Sequence, residues 1–218
     1  QPIERKLKLT RRCLEVLAEC RNPVGIVTKD SLVTRDIDLL QELAAHNAAV
    51  VFVSLTTLDN DLRAVLEPRT APPKSRLRTI RRLADAGIPV GVMTASIIPA
   101  INDHEILQLI TAAADAGARH ASYVVLRLPH ANKDLFDRWL DEHFPDRKQK
   151  VPNQIKSLRE GKLNSAEFGA RMKGTGRLAK QIESMFGIAC RKAGIGREGL
   201  KLSTAAFRRS RDKQLELF

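Results

Sequence analysis

The chain has 218 residues, of which 43% are hydrophobic, enough for one sizeable core of ordinary globular composition. No apolar run approaches the roughly 20 residues of a membrane helix, and no secretory apolar stretch follows the charged opening Gln1–Lys6, so a cytoplasmic protein without a membrane partner is expected. The formal charge of +12 is uneven: residues 1–146 hold 19 Lys+Arg against 19 Asp+Glu, and residues 147–218 hold 18 against 6.

Leu9, Cys13, Leu14, Leu17 and Ala18 recur at helical spacing, and Asn22-Pro23 ends that helix. Val24–Thr28 predicts a short strand. A helix is expected from Thr34 to Ala45, and Ala48–Leu55 is a continuous apolar strand. Continuous runs mark strands buried on both faces, as in parallel sheets. A short helix around Asp59–Leu66 and a basic amphipathic helix over Lys74–Ala86 precede a third strand at Val90–Ala95. Then come a helix over Asp103–Ala116, a fourth strand over His120–Leu128 and a helix over Leu135–Phe144. The phrase Ala-Asp-Ala-Gly closes two successive helices, at Ala84–Gly87 and Ala114–Gly117, with glycine at the stop.

Such alternation of strand and helix predicts an α/β fold with a parallel sheet, open or closed into a barrel. The chain opens on a helix with no strand before it, so a barrel half entered in mid-repeat is expected. Beyond Pro145, residues 151–194 read as helical, with a turn at 161–164 and a break at 174–176. Leu202–Phe207 reads as an extended segment packing back. The expected organisation is a partial barrel over 1–146 and a basic, mainly helical extension over 147–218.

Ligands of parallel α/β folds bind beyond the carboxyl ends of the strands. Those ends carry Thr28-Lys29, Ser54 with Thr56-Thr57, Thr94-Ala95-Ser96, and Arg127 beyond Tyr123. This polar rim suits a zwitterionic or anionic ligand with hydroxyls. Lys29 can meet a carboxylate as a point charge, and Ser54 can bond an amine, a carboxylate or a ribose hydroxyl. Phosphate-loop, dinucleotide and zinc-protease motifs are absent, and His46, His104, His120, His130 and His143 lack metal spacing. Cys13 and Cys20, seven apart, share a helix face and read as small core residues rather than a metal pair. The basic last third fits a nucleic-acid surface or a solvated appendage equally.

The phrases Val24–Lys29, Val51–Thr56, Leu66–Arg69 with Lys74–Leu77, Gly87–Asp103 and Tyr123–Pro129 carry a resemblance through their order and spacing. They resemble bacterial radical S-adenosylmethionine (SAM) proteins related to spore photoproduct lyase, the "DNA repair photolyase" type. Lys133–Lys150, Gly161–Gly176 and Leu202–Arg209 match the continuation seen in a subgroup of unknown substrate. The resemblance implies a partial (β/α)6 TIM-like barrel. It implies SAM held by a strand-end Thr-Lys and a strand-end Ser, here Thr28, Lys29 and Ser54, with Ser96 and Arg127 as further rim candidates.

Glu67-Pro68 and Ser75-Arg76 match a paired feature of the family, and its Pro-Gly-x-x-Asp appears as Pro99–Asp103 with Ala100 in place of Gly. Tyr123 is the one catalytic candidate, as a hydrogen-atom relay, with simple packing the plainer reading. The family holds a [4Fe–4S] cluster by C-x3-C-x2-C, upstream of a stretch resembling Gln1–Glu4, and Cys13, Cys20 and Cys190 lack that spacing. The implied function is therefore the SAM-binding portion of a radical SAM enzyme. With cluster cysteines upstream and an external electron donor, it would cleave SAM to a 5′-deoxyadenosyl radical and abstract hydrogen from a substrate, a nucleic acid by analogy; the chain alone would be inactive. The alternative is a non-catalytic nucleic-acid-binding module using residues 147–218. A barrel enzyme for phosphorylated metabolites would need a Gly-rich phosphate site that the sequence lacks.

Overall fold

The computed structural model describes residues 2–197 and 199–209. Two helices, α1 (Pro2–Leu7) and α2 (Leu9–Glu19), lead into β1 (Val24–Thr28). A 3-10 turn and α3 (Ile37–Ala44) precede β2 (Ala49–Ser54), and α4 (Asn60–Leu66) and α5 (Pro73–Asp85) precede β3 (Val90–Ile97). Next are α6 (Ile106–Asp115), β4 (His120–Val125), α7 (Asn132–His143), α8 (Lys150–Ser157), α9 (Ala170–Lys173) and α10 (Gly176–Ala193). The four strands form one parallel sheet in the order β1-β2-β3-β4, as the alternating pattern predicts.

The two faces of the sheet differ. Val51, Val53, Val90, Val92, Ala121, Tyr123 and Val125 join Leu14, Leu40, Leu43, Ile80, Leu83, Leu109 and Ile110 in the main core, so one face is covered by helices. The alternate residues Val27, Phe52, Met93, Ser122 and Val124 lie on the other face. That face is open: Val27 is 61% exposed and the others are half-buried. Phe52 spreads over Gly91, where a Cβ would lie 2.4 Å from the ring and 3.0 Å from the His120 carbonyl. A smaller core of Leu62, Ile98, Ile101, Leu128, Leu140, Val151 and Ile155 joins α4, α7 and α8.

The basic last third is continuous with this core. Ala179, Ile182, Phe186, Ala189 and Cys190 of α10 are members of it. Gly196 then makes a parallel bridge to His120, with Ala121 N donating to Gly196 O at 2.9 Å and Gly196 N to Arg119 O at 3.0 Å. So α10 packs on the sheet in the manner of a crossover helix, and a single parallel bridge at Gly196 follows it. The segment after it packs back irregularly: Ser203 N donates to Asn47 O at 2.8 Å and Arg208 N to Cys20 O at 2.9 Å. Residues 210–218 of the expected extension lie outside the described residues.

Two expectations need correction. Cys13 is exposed and Cys20 only half-buried, because α2 buries the stripe through Leu14 and Ala18 and Cys13 falls one residue off it. β4 stops at Val125 rather than Leu128, and a single bond from Leu126 N to Ile97 O continues the ladder. No helix among the described residues is long and apolar enough to cross a membrane.

Replacing Gly91 by Ala should destabilise the fold by about 1–3 kcal/mol through overpacking against Phe52. In a denaturant double-mutant cycle, Phe52→Leu should recover part of that loss; strict additivity would contradict the packing described.

Candidate functional site

Pairing of Val27 with Phe52 and of Thr28 with Val53 fixes which way the next residues point. Lys29 and Ser54 each follow a residue of the opposite face, so both fall on the open side with Val27 and Phe52. Thr28 falls on the helix-facing side. Its hydroxyl accepts from Asp30 N at 3.1 Å and closes the turn after β1, and the residue borders the same open cavity as Lys29.

The strand ends are tied together by one largely enclosed carboxylate. Glu67, at the carboxyl end of α4, bonds Arg76 Nη2 through Oε2 at 2.6 Å and accepts from Thr56 Oγ1 at 3.1 Å through Oε1. The same Oε1 accepts from Lys29 Nζ. Arg76 is 2% exposed, one turn into α5, whose first turn is preset by Pro73. It also donates to Ser54 O at 3.0 Å, Ala71 O at 2.8 Å and Thr70 Oγ1 at 2.5 Å. Burial alone would raise the Glu67 pKa, but hydrogen bonds from Lys29 and Arg76 outweigh it and hold the pKa below the usual value.

A second carboxylate orders the neighbouring loop. Glu105 accepts from Thr57 Oγ1 at 2.6 Å and from Leu58 N at 2.7 Å. Asn102 donates to Thr56 O at 2.9 Å and Ser96 O at 3.0 Å and accepts from Ile98 N at 2.7 Å. Ala100, where the family has glycine, sits at φ 63°, the left-handed region glycine enters without cost. The resemblance noted at Pro99–Asp103 thus reflects a backbone requirement, and Asp103 Oδ1 secures it by accepting from Ala100 N at 3.0 Å.

Lys29 is 43% exposed and borders an open cavity of about 860 Å³ together with Arg5, Asp30, Arg69 and Thr70. Ser54 is 4% exposed, and its hydroxyl makes no hydrogen bond among the described residues. The arrangement offers a cation and a carboxylate within one polar network, with the unbonded Ser54 hydroxyl buried on the same side of the sheet.

The remaining expected residues lie elsewhere. Ser96 is the extra residue where β3 slips one position against β4, and the described contact is through its carbonyl. Tyr123 faces the helices, with its ring 4.7 Å from that of Phe186 and Lys173 Nζ 5.5 Å from its centroid. Its hydroxyl is buried without a partner and its pKa is pushed up to about 12 by burial and by Glu183. The packed reading of Tyr123 is the one its surroundings support. Arg127 turns to α9, where Nη1 lies 3.7 Å from Met172 Sδ, and has no contact with the Glu67 network. Thr56, Asn102 and Glu105 went unassigned from sequence, although they lie inside or beside the quoted phrases; their roles depend on partners 11 to 48 residues away.

Cysteine chemistry does not converge here. Cys13 lies midway along α2, Cys20 caps its carboxyl end, and Cys190 is buried in α10. Among the described residues no group of three or more His, Cys, Asp or Glu could hold a metal.

Because the folded-state pKa of Glu67 is lowered, its ionic network stabilises the fold above the ordinary carboxylate range and the contribution fades as pH falls through the folded value. Glu67→Gln should therefore be less stable than the wild type at neutral pH, and urea titrations should show the gap closing below about pH 4. Arg76→Met, which strands the carboxylate, should cost about 3–5 kcal/mol at neutral pH. A pH-independent gap for Glu67→Gln would contradict the network.

The family model described as "Radical SAM superfamily" matches residues 3–113. An uncharacterized protein of Acidianus two-tailed virus is 40% identical over 90 residues, 41% of this chain and 29% of that protein. Uncharacterized proteins of Mycobacterium bovis and Methanocaldococcus jannaschii are 31% and 26% identical over 67% and 71% of the chain, and 44% and 56% of their own lengths. The structure of spore photoproduct lyase complexed with dinucleoside spore photoproduct superposes with a TM-score of 0.64 at 17% identity, over 88% of this chain and 56% of that one. The chain thus spans between 29% and 56% of the proteins it matches. The superposition shows the fold, a partial TIM-like radical SAM architecture, and the family match covers half of the sequence. The chain belongs to the radical SAM superfamily, whose members in general use SAM and an iron–sulfur cluster.

Proposed function

We propose that this chain is the SAM-binding part of a radical SAM enzyme that abstracts hydrogen from its substrate. The observation that supports it most is the placement of Lys29 and Ser54 on one open face, with the Glu67 carboxylate between β1 and β2. An α-amino-acid end carries one carboxylate and one ammonium. Lys29 already accommodates a carboxylate, that of Glu67, and exchange of that partner would seat the carboxylate of SAM. Glu67 keeps Arg76 throughout and has lone pairs for the ammonium. The Ser54 hydroxyl is left for a further polar group of the ligand. The donor set therefore fits the methionyl end of SAM.

SAM and a cluster would supply the radical chemistry, and this chain's residues bind and orient SAM. The three cysteines here do not fit a cluster, since they sit in separate places and differ in exposure. We assign the cluster ligands to a segment N-terminal to Gln1, with an external electron donor. The chain's share of its relatives' length is consistent with that division.

The test is anaerobic isolation of the protein together with its cysteine segment, followed by reduction in the presence of SAM. A brown protein that releases 5′-deoxyadenosine is expected. Ser54→Ala should slow that release about tenfold at low SAM, with recovery at saturating SAM, the pattern for one lost hydrogen bond in binding. A colourless protein, or one that leaves SAM intact, would contradict the reading.

A further inference from the structure

The four donors around Glu67 divide between its two oxygens. Arg76 and Thr70 hold Oε2, and Lys29 and Thr56 hold Oε1. The pair on Oε1 is unequal. Lys29 is 43% exposed on an unbranched stem, whereas Thr56 is 2% exposed and β-branched, hence stiff at χ1. The Thr56 hydroxyl stands 3.1 Å from Glu67 Oε1 and 3.0 Å from Ala95 O. A hydroxyl has one hydrogen, so at any moment it serves one of these acceptors and not both. Thr56 thus lies between an ionised acceptor and a neutral one.

Asn102 fixes this hydroxyl from behind. Its buried side-chain amide donates to Thr56 O at 2.9 Å and Ser96 O at 3.0 Å and accepts from Ile98 N at 2.7 Å. An amide supplies two donors and an acceptor together, and here they join three backbone segments. One residue before Thr56, Leu55 N donates to Met93 O at 3.0 Å and locks the end of β2 to β3. The backbone of Thr56 therefore stays in place when Lys29 or its partner moves.

We propose that Thr56 is a positioning residue for the Glu67 carboxylate: when the carboxylate of a ligand takes Lys29, the Thr56 hydroxyl commits to Oε1 and keeps Glu67 from following the ammonium. The proposal rests on the reading above of Lys29 and Glu67 as the seat of an amino-acid end. In the free protein Oε1 has two donors, and loss of the hydroxyl is cushioned by Lys29. With Lys29 taken, Thr56 is the donor left to Oε1 among the contacts described, and a hydrogen bond to an ionised oxygen is stronger than one to a carbonyl. The hydroxyl thus contributes to the binding of ligands that draw Lys29 away, those with a carboxylate, and not to the binding of ligands that leave the ion pair intact.

Equilibrium titration of SAM and of decarboxylated SAM into the wild type, Thr56→Val, Thr56→Ser and Lys29→Ala tests it. Thr56→Val, close in shape but without the donor, should bind SAM about tenfold less tightly and decarboxylated SAM as the wild type does. Thr56→Ser should restore SAM affinity to within about threefold of the wild type. In a Lys29→Ala background Thr56→Val should have no further effect, because Oε1 then has the same donor with and without ligand. If Thr56→Val does not fold, Thr56→Cys, a weak donor, should show the same carboxylate-selective loss. Equal losses for both ligands, a serine variant no better than valine, or an undiminished effect in the Lys29→Ala background would each overturn the proposal. If Lys29→Ala alone still weakens SAM binding in those cases, the reading of Lys29 stands without it. SAM binding unchanged in Lys29→Ala, or absent from the wild type, would instead sink that reading and Thr56 with it.

Discussion

The Glu67 carboxylate is the interaction on which the site depends. An ion withdrawn from water loses several kcal/mol of hydration unless it is well paired and hydrogen-bonded. Glu67 meets that condition only when Arg76 and Lys29 both reach it, and Arg76 reaches it only when the start of α5 packs over the end of β2. One charge therefore fixes three things together: where the long loop after β2 runs, how α5 enters, and where the Lys29 ammonium is held. Lys29 alone, on a flexible four-carbon stem at the end of an edge strand, would sample many positions. Held by Glu67, it is presented at the mouth of the open face.

The same logic separates the two sides of the rim. Beside β1 and β2 two cations, Lys29 and Arg76, share the one Glu67 carboxylate, which leaves a dipolar, net positive site that can take the carboxylate of an amino-acid end. Beside β4 the Arg159 guanidinium is matched only by carbonyl oxygens, and positive charge is left over. The distribution of charge along the sheet is thus a more specific feature than the formal excess of the last third. Part of that excess, Arg177, Lys180, Arg191 and Lys192 against Glu183, sits on α10, whose apolar side belongs to the main core.

The strands were legible because β2 and the first half of β3 are continuous apolar runs and each helix stops at a recognisable signal, such as Gly87 or Gly117. Lys29 and Ser54 were legible as polar residues at strand ends, and strand alternation then places them on one face. The face of Thr28 was not legible from its strand-end position; only the register with Val53 gives it. Tyr123 and Arg127 were drawn to the rim by position in the chain, whereas parity and the packing of α9 and α10 decide where they point. The partners of Glu67 were unreadable for a simpler reason: they lie 38 and 9 residues away, and spacing carries no information about contacts made through a loop. Arg159 carried no signal, since one arginine in a basic segment looks like any other until its burial is seen.

The central claim is that Lys29 and Ser54, ordered by Glu67, hold the methionyl end of SAM. Equilibrium titration of SAM into the chain and its Lys29→Ala variant, with S-adenosyl derivatives lacking the carboxylate as a control ligand, addresses it directly. The account predicts that the variant loses about tenfold or more in affinity for SAM and none for the decarboxylated ligand. Equal losses for both ligands, or no loss for either, would contradict it.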